Sequence, residues 1–395
     1  MSQLEQLIRT ITGETKVSWK RLDSIAIRRK GFPVTAKTIN EQSNNSEGIL
    51  VYGAGSTRAY FDASLVPEKN VIFEKCVIVK SRGYIDFEYS DQPCAHKSEL
   101  WSYMPNESEI NTKFLYYYLK TIKSKLQKLA RATSVKIPQL SVGDTDSLRI
   151  PVPPLEVQDE IVRILDSFTE LEAELEAELE ARRKQYEYYR DSLLKQKNNF
   201  YQEVSIQDVC IKISSGGTPK KSEPIYFNGS IPWIRSTDLN FNVIKHVDGS
   251  LSEEGLKNSS AKLIPSKSVL IAMAGATVAR CGITSFEASS NQNCCSLIAN
   301  PEVINPKFLF YQVCNEYEFL KSKAQGTQNF LNMQRIREHP IRIPPIEEQE
   351  RIVSILDKFD ALVNDISIGL PAEIEARRKQ YEYYRDKLLS FEEAQ

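Results

Sequence analysis

The sequence predicts an α+β protein built from two tandem domains of mixed α/β structure, with a long helix after each domain. Two observations support this prediction. The twelve residues at 180–191, EARRKQYEYYRD, occur again at 375–386, an offset of 195 in a chain of 395 residues. Residues 150–171 also align with residues 341–362, but at an offset of 191. The chain therefore consists of two halves of one plan.

Proline-rich junctions divide the chain into four segments. The first domain takes residues 1–152, including a short leader over 1–16, and the first long helix takes 153–199. The second domain takes 200–343 and the second helix 344–395. Within the first domain, short runs of β-branched and aromatic residues punctuated by Gly, Pro and Asn predict strands. Apolar residues at helical spacing predict a helix over 112–131 with its lysines on the other face.

The two long helices carry matching apolar seams. From Ile161 to Leu193 the apolar positions are spaced by threes and fours, which predicts a helix from 156 to about 197. At 1.5 Å per residue it would be about 60 Å long, and a narrow seam of that length requires a partner helix. The second seam, from Ile352 to Leu388, holds one more step, and Pro371 predicts a kink or break there.

Composition excludes few classes of protein. The chain is 41% hydrophobic and 26% charged with a net charge of −1, as in ordinary globular proteins. No apolar run approaches the roughly 18 to 20 residues that span a bilayer, so we expect a cytoplasmic protein that does not bind a membrane. Charge is segregated, however: residues 120–136 have six basic residues and no acidic one, whereas 156–180 have ten acidic residues against Arg163 alone. The basic segment suits either a nucleic-acid surface or a solvated face.

The motifs of common enzymes are missing from the sequence. It has no phosphate-binding GxxxxGK[ST] loop, no HExxH and no GxSxG. Its seven cysteines form no CxxC pair, so we expect no metal site. The glycines of YGAGSTRAY, Gly53 and Gly55, fit a turn between strands better than a cofactor cradle, because a third glycine is missing. We therefore expect no catalytic residues in this chain.

Two dissimilar domains, each followed by a near-identical helix entered through Pro-Pro-x-Glu-x-Gln, form a specific arrangement. It resembles the specificity subunit of type I restriction-modification enzymes. The resemblance covers essentially the whole chain and is carried by IPVPPLEVQ (150–158), IRIPPIEEQ (341–349) and the two copies of EARRKQYEYYRD. Further matching motifs in the second domain are Gly217-Thr218-Pro219, Trp233-Ile234-Arg235-Ser236, Asn291-Gln292 and Gly326-Thr327-Gln328. The first domain matches these poorly.

The resemblance implies a non-catalytic subunit that recognises double-stranded DNA. Two target recognition domains would each read one half of a split, asymmetric sequence, and the repeated helices would pair as an antiparallel coiled coil. These helices would dock two methyltransferase subunits, and restriction subunits, the translocase-nuclease, would join the larger complex. The chain itself would hold no cofactor, because S-adenosylmethionine, ATP and Mg would belong to the partner subunits.

Base-edge readers should be Arg, Asn, Gln, Ser and Thr on loops, with Lys and Arg on phosphates. For any one of these residues a surface or turn role is an equal alternative. The candidates in the first domain are Ser56, Thr57, Arg58, Arg82, Lys97, Arg131, Thr133, Ser134 and Lys136. Those in the second domain are Thr218, Lys220, Lys221, Arg235, Ser236, Thr237, Asn291, Gln292, Thr327 and Gln328. The candidates for partner docking are Arg183, Lys184, Tyr188 and Arg190 with their copies Arg378, Lys379, Tyr383 and Arg385, whereas Tyr186, Tyr189, Tyr381 and Tyr384 are seam positions.

Two other functions compete with this interpretation. A scaffold that joins two protein-binding domains would have the same helices but would not retain DNA. A self-contained methyltransferase is disfavoured, because the sequence has neither a glycine-rich methyl-donor loop nor an [ND]PP[YF] stretch. One hypothesis concerns the tandem LEAELEAELE at 171–180: each four-residue unit would lengthen the helix by about 6 Å, so the count of units would set the unread DNA spacer.

Overall fold

The computed structural model of the chain describes residues 17–42, 44–132, 136–195, 201–324, 330–364 and 368–391. The chain forms two compact units: unit 1 comprises Met1–Glu176 with Glu373–Gln395, and unit 2 comprises Ala177–Ala372. The first copy of the twelve-residue repeat therefore belongs to unit 2, and the second copy belongs to unit 1. Each repeat copy thus lies in the unit of the domain that it does not directly follow in the sequence.

Unit 1 contains nine strands and five helices in its described residues before residue 176, the last helix continuing beyond it. The strands are β1 (Ser18–Arg21), β2 (Ala26–Lys30), β3 (Ile49–Tyr52), β4 (Arg58–Phe61), β5 (Cys76–Lys80), β6 (Asp86–Ser90), β7 (Cys94–His96), β8 (Trp101–Pro105) and β9 (Arg149–Val152). The helices are α1 (Leu22–Ile25), α2 (Ala36–Glu41), α3 (Thr112–Ala132), α4 (Val142–Asp146) and α5 (Leu155–Leu194). Short 3-10 turns occupy Ala63–Leu65 and Glu68–Asn70. The helix predicted over 112–131 is confirmed as α3.

Unit 2 adds ten strands and the remaining helices of the described chain. The strands are β10 (Gln202–Ser205), β11 (Cys210–Ser215), β12 (Phe227–Ile234), β13 (Asn242–Ile244), β14 (Ser250–Leu251), β15 (Val269–Ala272), β16 (Cys281–Thr284), β17 (Ser289–Ser290), β18 (Cys294–Ala299) and β19 (Pro340–Ile343). The helices are α6 (Glu253–Lys257), α7 (Pro306–Asn315), α8 (Tyr317–Ser322), α9 (Met333–Arg337), α10 (Ile346–Asn364) and, completing unit 1, α11 (Leu370–Leu388). The 3-10 turns are Ile206–Val209, Pro224–Tyr226, Ser236–Asp238 and Gly275–Thr277.

The two domains share one topology although their sequences differ. Unit 1 has a four-stranded sheet in the order β2-β8-β5-β6, and unit 2 has the order β11-β18-β15-β16 with β13 added at the edge. Each unit also has a three-stranded sheet, β4-β3-β7 or β14-β12-β17, whose last pair is parallel. A two-stranded ribbon closes each domain, as β1 with β9 and as β10 with β19. The mixed α/β fold of both domains is confirmed.

A buried glutamine joins each domain to its long helix. The Gln158 Oε1 atom accepts from the Asn111 backbone N–H at 2.8 Å, and its Nε2 donates to the carbonyls of Glu109 at 3.0 Å and Pro153 at 2.7 Å. Gln349 makes the same three bonds in unit 2. Its partners are Asn305 at 2.8 Å, Val303 at 3.1 Å and Pro344 at 2.8 Å. The Gln of Pro-Pro-x-Glu-x-Gln is thus a structural residue that satisfies backbone groups at the junction.

Each core lies between the larger sheet of its unit, one domain helix and parts of the long helices. In unit 1, Phe114 of α3 packs with Ile161 and Leu165 of α5, and Leu388 and Leu389 complete the cluster. In unit 2 the corresponding cluster contains Phe308, Ile352, Leu356 and Leu194. The leucine pair after each repeat copy is therefore a core element of the unit to which that copy belongs.

The first long helix is continuous and the second is not. Helix α5 runs for 40 residues, close to the predicted extent. The second begins as α10, which ends at Asn364, and α11 starts at Leu370. The predicted break is confirmed. Pro371 lies in the first turn of α11, where a backbone N–H would have no acceptor within the helix, so proline loses no helical hydrogen bond there. Across the described part of the chain, no helix combines the length and apolarity that a bilayer crossing requires.

Candidate nucleic-acid interface and docking helices

In each domain, one candidate residue lies where two parallel strands end side by side. In unit 1 the Lys97 backbone N–H, just after β7, donates to the Tyr52 carbonyl at the end of β3 at 2.9 Å. In unit 2 the Asn291 N–H, just after β17, donates to the Ile234 carbonyl at the end of β12, also at 2.9 Å. The same backbone arrangement thus presents Lys97 in one domain and Asn291 in the other.

A glycine loop approaches these strand ends closely in both domains. Phe32 N–H donates to the His96 carbonyl at 3.0 Å, and Gly217 N–H donates to the Ser290 carbonyl at 2.9 Å. A Cβ atom on the preceding residue, Gly31, would lie 2.3 Å from the His96 oxygen. The space therefore admits only glycine. Gly216 has the same constraint, with 2.0 Å to the Ser290 oxygen.

Sequence reasoning missed the loop at Gly31. Its signal was present, because a glycine directly after a strand and followed closely by a proline occurs both at Gly31 and at Gly216. The loop continues through Pro33 to Thr35, whose side chain caps α2 by accepting from the Thr38 N–H at 3.0 Å. It holds the position in the first domain that Gly217-Thr218-Pro219 holds in the second.

In the second domain the structure brings most of the predicted readers together. The Thr218 hydroxyl donates to the Gln292 side chain across the junction of the glycine loop and the β17 end. Arg235 follows β12 directly, and its guanidinium lies 3.5 Å from the Asp238 carboxylate. Ser236 is buried at 8% exposure, whereas Lys220, Lys221 and Thr237 are exposed. Thr327 and Gln328 lie outside the described residues.

A hairpin loop that sequence reasoning did not select borders this surface. It joins β15 to β16 and carries Gly275 at φ 78°, a left-handed conformation that favours glycine. The Met273 N–H donates to the Asn293 carbonyl at 2.7 Å, and the Leu331 N–H donates to the Met273 carbonyl at 2.7 Å. The loop is therefore tied both to the strand end beside Gln292 and to the segment that follows residues 325–329.

The hairpin recurs in the first domain, where it carries a predicted reader. Arg82 is exposed, Gly83 has φ 80°, and the Gly83 N–H donates to the Pro138 carbonyl at 2.8 Å. Leu140 N–H donates to the Ser81 carbonyl at 2.8 Å, the equivalent of the bond from Leu331. Arg82 therefore lies beside the segment that carries Lys136.

Three further candidates of the first domain follow the end of β3. Ser56 and Thr57 form the turn between β3 and β4, closed by a bond of 2.8 Å from the Gly53 N–H to the Thr57 carbonyl, and Arg58 begins β4. Lys97 is already paired with Glu99 at 3.0 Å. Arg131 is exposed in the last turn of α3. Thr133 and Ser134 lie outside the described residues.

His96 is a buried support for this surface. Its Nε2 lies 3.0 Å from the Ser102 hydroxyl, and burial lowers the pKa of the imidazole to about 4. The side chain is therefore neutral at neutral pH and adds no charge to the surface. In the second domain the equivalent position is Ser290, whose buried hydroxyl has no hydrogen-bond partner among the described residues.

The two repeat copies present the same side chains in their two units. Tyr188 and Tyr383 are 71% and 49% exposed. Tyr186 and Tyr381 instead pack against the cores of their units, as their seam positions predict. Arg190 and Arg385 each pair with the following aspartate, at 2.9 and 2.6 Å, and lie over the ring of the tyrosine four residues earlier. Arg183, Arg378, Lys184 and Lys379 are exposed.

Each copy also packs against a segment of the other long helix within its unit. In unit 1 the Tyr384 ring stacks on Phe168 with centroids 5.6 Å apart, and Arg378 contacts Glu172 and Glu176. These contacts run in opposite directions along α5 and α11, so the two segments are antiparallel. In unit 2 Tyr189 stacks on Phe359 at 5.6 Å. Pairing of the helices along their whole length stays a prediction.

No group of three or more His, Cys, Asp or Glu side chains suited to a metal ion occurs among the described residues. All seven cysteines are free thiols. Burial raises the pKa of the Cys210 and Cys295 thiols to about 12, so neither is a thiolate nucleophile at neutral pH.

Comparisons with known proteins agree with this architecture. The family model described as "Type I restriction modification DNA specificity domain" matches residues 18–181 and 198–376. The chain is 32% identical over 412 residues to the specificity subunit of the type I restriction enzyme EcoR124I/EcoR124II of Escherichia coli, covering 99% of this chain and 98% of that one. It is 30% identical over 403 residues to a putative type I restriction enzyme specificity subunit of Haemophilus influenzae, covering 95% and 96%.

Solved structures show the same fold at low sequence identity. The S subunit of a type I restriction-modification system from M. genitalium is 16% identical, with a TM-score of 0.59 over 97% of this chain and 98% of that one. A chain from a study of complex assembly and conformational transition of the type I R-M system is also 16% identical, with a TM-score of 0.56 over 96% and 98%. The chain described here belongs to the family of type I restriction-modification specificity subunits.

Proposed function

We propose that this chain selects the DNA target of a type I restriction-modification complex by reading a bipartite, asymmetric sequence, with one half-site for each domain. The observation that carries the proposal is the repeated backbone arrangement at the strand ends, which holds different side chains in the two domains. The backbone bonds from Lys97 to Tyr52 and from Asn291 to Ile234 are both 2.9 Å long. Each runs from the residue after one parallel strand to the last residue of the neighbouring strand. One scaffold with two sets of readers suits two different half-sites.

The chain would supply recognition while its partners supply chemistry. Two methyltransferase subunits would dock on the repeat copies, and restriction subunits would join the larger complex in the cytoplasm. S-adenosylmethionine, ATP and Mg would bind to those subunits. The near-identity of the two copies supports this arrangement, because helices that bind the same partner twice must present the same surface.

The test is DNA retention by the complete complex. The chain together with its methyltransferase subunit should shift a DNA fragment from the host in a gel, and mapping of methylated sites should show two short half-sites separated by an unread spacer. A scaffold without DNA function would show no sequence-dependent retention. Insertion or deletion of one LEAE unit within residues 171–178 should change the spacer by on the order of two base pairs.

Substitutions separate readers from backbone contacts. Gln292→Ala should relax one position of the target, because a lost base-edge bond no longer penalises the wrong base. Lys220→Ala with Lys221→Ala should weaken binding to all sequences about equally and should lower the salt slope by about one per contact. Lys358→Ala, an exposed lysine of α10, is the control for charge and should change neither property. A uniform loss in the Gln292 variant would contradict the assignment.

A further inference from the structure

The basic segment at residues 120–136 divides into two groups in the structure. Lys120 and Lys123 are used inside unit 1, where their amino groups lie 2.7 and 3.7 Å from the Asp86 carboxylate. The other four basic residues are exposed and have no ion-pair partner among the described residues: Lys125, Lys128, Arg131 and Lys136. No acidic residue occurs within the segment, so these four charges are not compensated by their neighbours in sequence.

The hairpin between β5 and β6 adds a further uncompensated charge. Its Arg82 is exposed and has no ion-pair partner in the described part of the chain. Helix α3 holds the hairpin through Gln127, whose side chain accepts from the Ile85 N–H at 2.8 Å and donates to the Gly83 carbonyl at 3.1 Å. Arg82 is therefore fixed in place next to the second half of α3.

Two of the exposed cations of α3 lie towards this hairpin. At 3.6 residues per turn, Arg131 lies about 40° and Lys128 about 100° from Gln127 around the helix axis. Lys125 lies about 160° from Gln127, on the opposite flank of the helix. The hairpin therefore has Arg131 and Lys128 beside it, whereas Lys125 points away from it.

Lys136 lies beside the same hairpin. The backbone of Arg82 pairs with that of Gln139, three residues after Lys136. The Gln139 N–H also donates to the Ala130 carbonyl at 3.4 Å, so this part of the chain runs between the hairpin and the end of α3. We call the four cations around the hairpin the basic surface: Arg82, Lys128, Arg131 and Lys136.

The basic surface adjoins the strand end at which the first domain presents Lys97. The Ser81 hydroxyl, at the start of the hairpin, donates to the Glu99 carbonyl at 2.7 Å. The Glu99 carboxylate in turn pairs with Lys97 at 3.0 Å. DNA whose bases meet this strand end therefore has the basic surface beside it.

The second domain does not repeat the basic surface. Leu140 of the first domain corresponds to Leu331, because each donates to the carbonyl at the start of its hairpin. Tyr117 corresponds to Tyr311, because each donates to an aspartate of a long helix. With the two domains aligned in this way, the four positions of the basic surface hold uncharged residues in the second domain: Ala274, Ser322, Gln325 and Thr327.

Two cations near the second hairpin contact neighbouring side chains instead. The Arg280 guanidinium donates to the Asn240 side chain at 3.3 Å. The Lys321 amino group lies 5.1 Å from the centre of the Tyr317 ring. The basic surface is therefore a feature of the first domain.

We propose that the basic surface binds phosphates of the DNA backbone beside the half-site of the first domain, and that the second domain has no equal contact. The inference rests on the proposed reading of DNA. Four positive charges without carboxylates attract phosphates whatever the base sequence, and each phosphate contact releases counterions. The first domain therefore supplies the larger share of the salt-dependent affinity, although both domains read bases.

The test is the salt dependence of DNA binding by the chain assembled with its methyltransferase subunit. Fluorescence anisotropy is measured with one duplex that carries the mapped target and one that lacks it. Lys128→Ala, Arg131→Ala and Lys136→Ala combined should lower the salt slope by about 0.9 for each lost contact and should weaken both duplexes by the same factor. Lys128→Arg should retain the wild-type slope. Lys125→Ala is the matched control, because this exposed lysine lies on the opposite flank of α3, and it should leave the slope unchanged.

Phosphate ethylation interference locates the contacts on the DNA. In the triple variant, interfering phosphates should disappear beside one half-site only, the half-site that Gly31→Ala degrades. An unchanged salt slope in the triple variant, or loss of phosphates beside both half-sites, would overturn the inference. Loss of the methyltransferase subunit from the triple variant, seen by native mass spectrometry, would also overturn it, because the surface would then bind protein. Absence of sequence-dependent DNA retention by the wild-type complex would instead refute the proposed function itself.

Discussion

The Tyr117 hydroxyl donates a hydrogen bond of 2.6 Å to the Asp166 carboxylate, which joins the helix of the first domain to the first long helix. Lys113 pairs with the other oxygen of the same carboxylate at 2.8 Å. Unit 2 repeats the arrangement on a different carboxylate. There Tyr311 donates to Asp357 at 2.7 Å, and Lys307 lies 2.6 Å from Asp357.

Removal of either carboxylate should loosen the domain to which it belongs. Asp166→Ala and Asp357→Ala each leave the hydroxyl of a buried tyrosine and a lysine without their acceptor, so the free energy of unfolding should fall by about 1–3 kcal/mol. Chemical denaturation measures the change. Asp386→Ala removes an exposed carboxylate that pairs with its neighbour Arg385, and should stay within about 0.5 kcal/mol of the wild type. Equal losses in all three variants would contradict the role of the tyrosine bonds.

The leucine pairs after the repeat copies should act on opposite domains. Leu389 is buried in the core of unit 1, and Leu194 is buried in the core of unit 2. Each change to alanine should cost about 2–5 kcal/mol through lost burial and a cavity. Hydrogen exchange followed by mass spectrometry locates the effect: Leu389→Ala should expose amides of the first domain, and Leu194→Ala those of the second. Exposure of second-domain amides by Leu389→Ala, or of first-domain amides by Leu194→Ala, would contradict the assignment of these leucines to the two units.

Alanine at the glycine loops should damage one domain at a time. A Cβ at Gly31 or Gly216 would overlap a backbone carbonyl, so Gly31→Ala and Gly216→Ala should each destabilise their domain by about 1–3 kcal/mol or displace the loop. Methylation mapping should then show a degraded half-site, a different one for each variant. Gly143→Ala is the matched control, because its nearest contact would be the Ser141 hydroxyl at 3.7 Å. Loss of both half-sites in either variant would argue against independent readers.

Acid should weaken the first domain through His96. Its folded-state pKa of about 4 lies below the ordinary value of 6.5, so the neutral side chain stabilises the fold above pH 6.5. This stabilisation, about 3 kcal/mol at most, is lost as the pH falls from 6.5 toward 4. Unfolding measured across this range should show a shallower slope for His96→Gln. An unchanged slope in the His96→Gln variant would contradict this role of the buried imidazole.

Periodicity and internal repeats in the sequence were enough to predict the long helices and the class of the two domains. Helices α3 and α5, the break before Pro371 and the mixed α/β domains follow from local patterns, whereas Arg235 and Asn291 were selected as candidate readers from motif resemblance, without their positions at strand ends. The shared scaffold of the two domains was not predictable, because it depends on backbone bonds such as Lys97 to Tyr52 that leave no side-chain signature. The placement of Leu194 and Leu389 in opposite units was also hidden, since identical local sequences carry no information about which core receives them.

The assignment of the second repeat copy to unit 1 has a consequence for the order of folding. Leu388 and Leu389 are synthesised after the whole second domain, yet they complete the core around Phe114 and Leu165. The second domain receives its leucine pair beforehand, from α5. On the ribosome, therefore, the domain that is made first is finished last. A chain that ends between residues 372 and 388 would keep a complete second domain and would leave the core of the first one without Leu388 and Leu389.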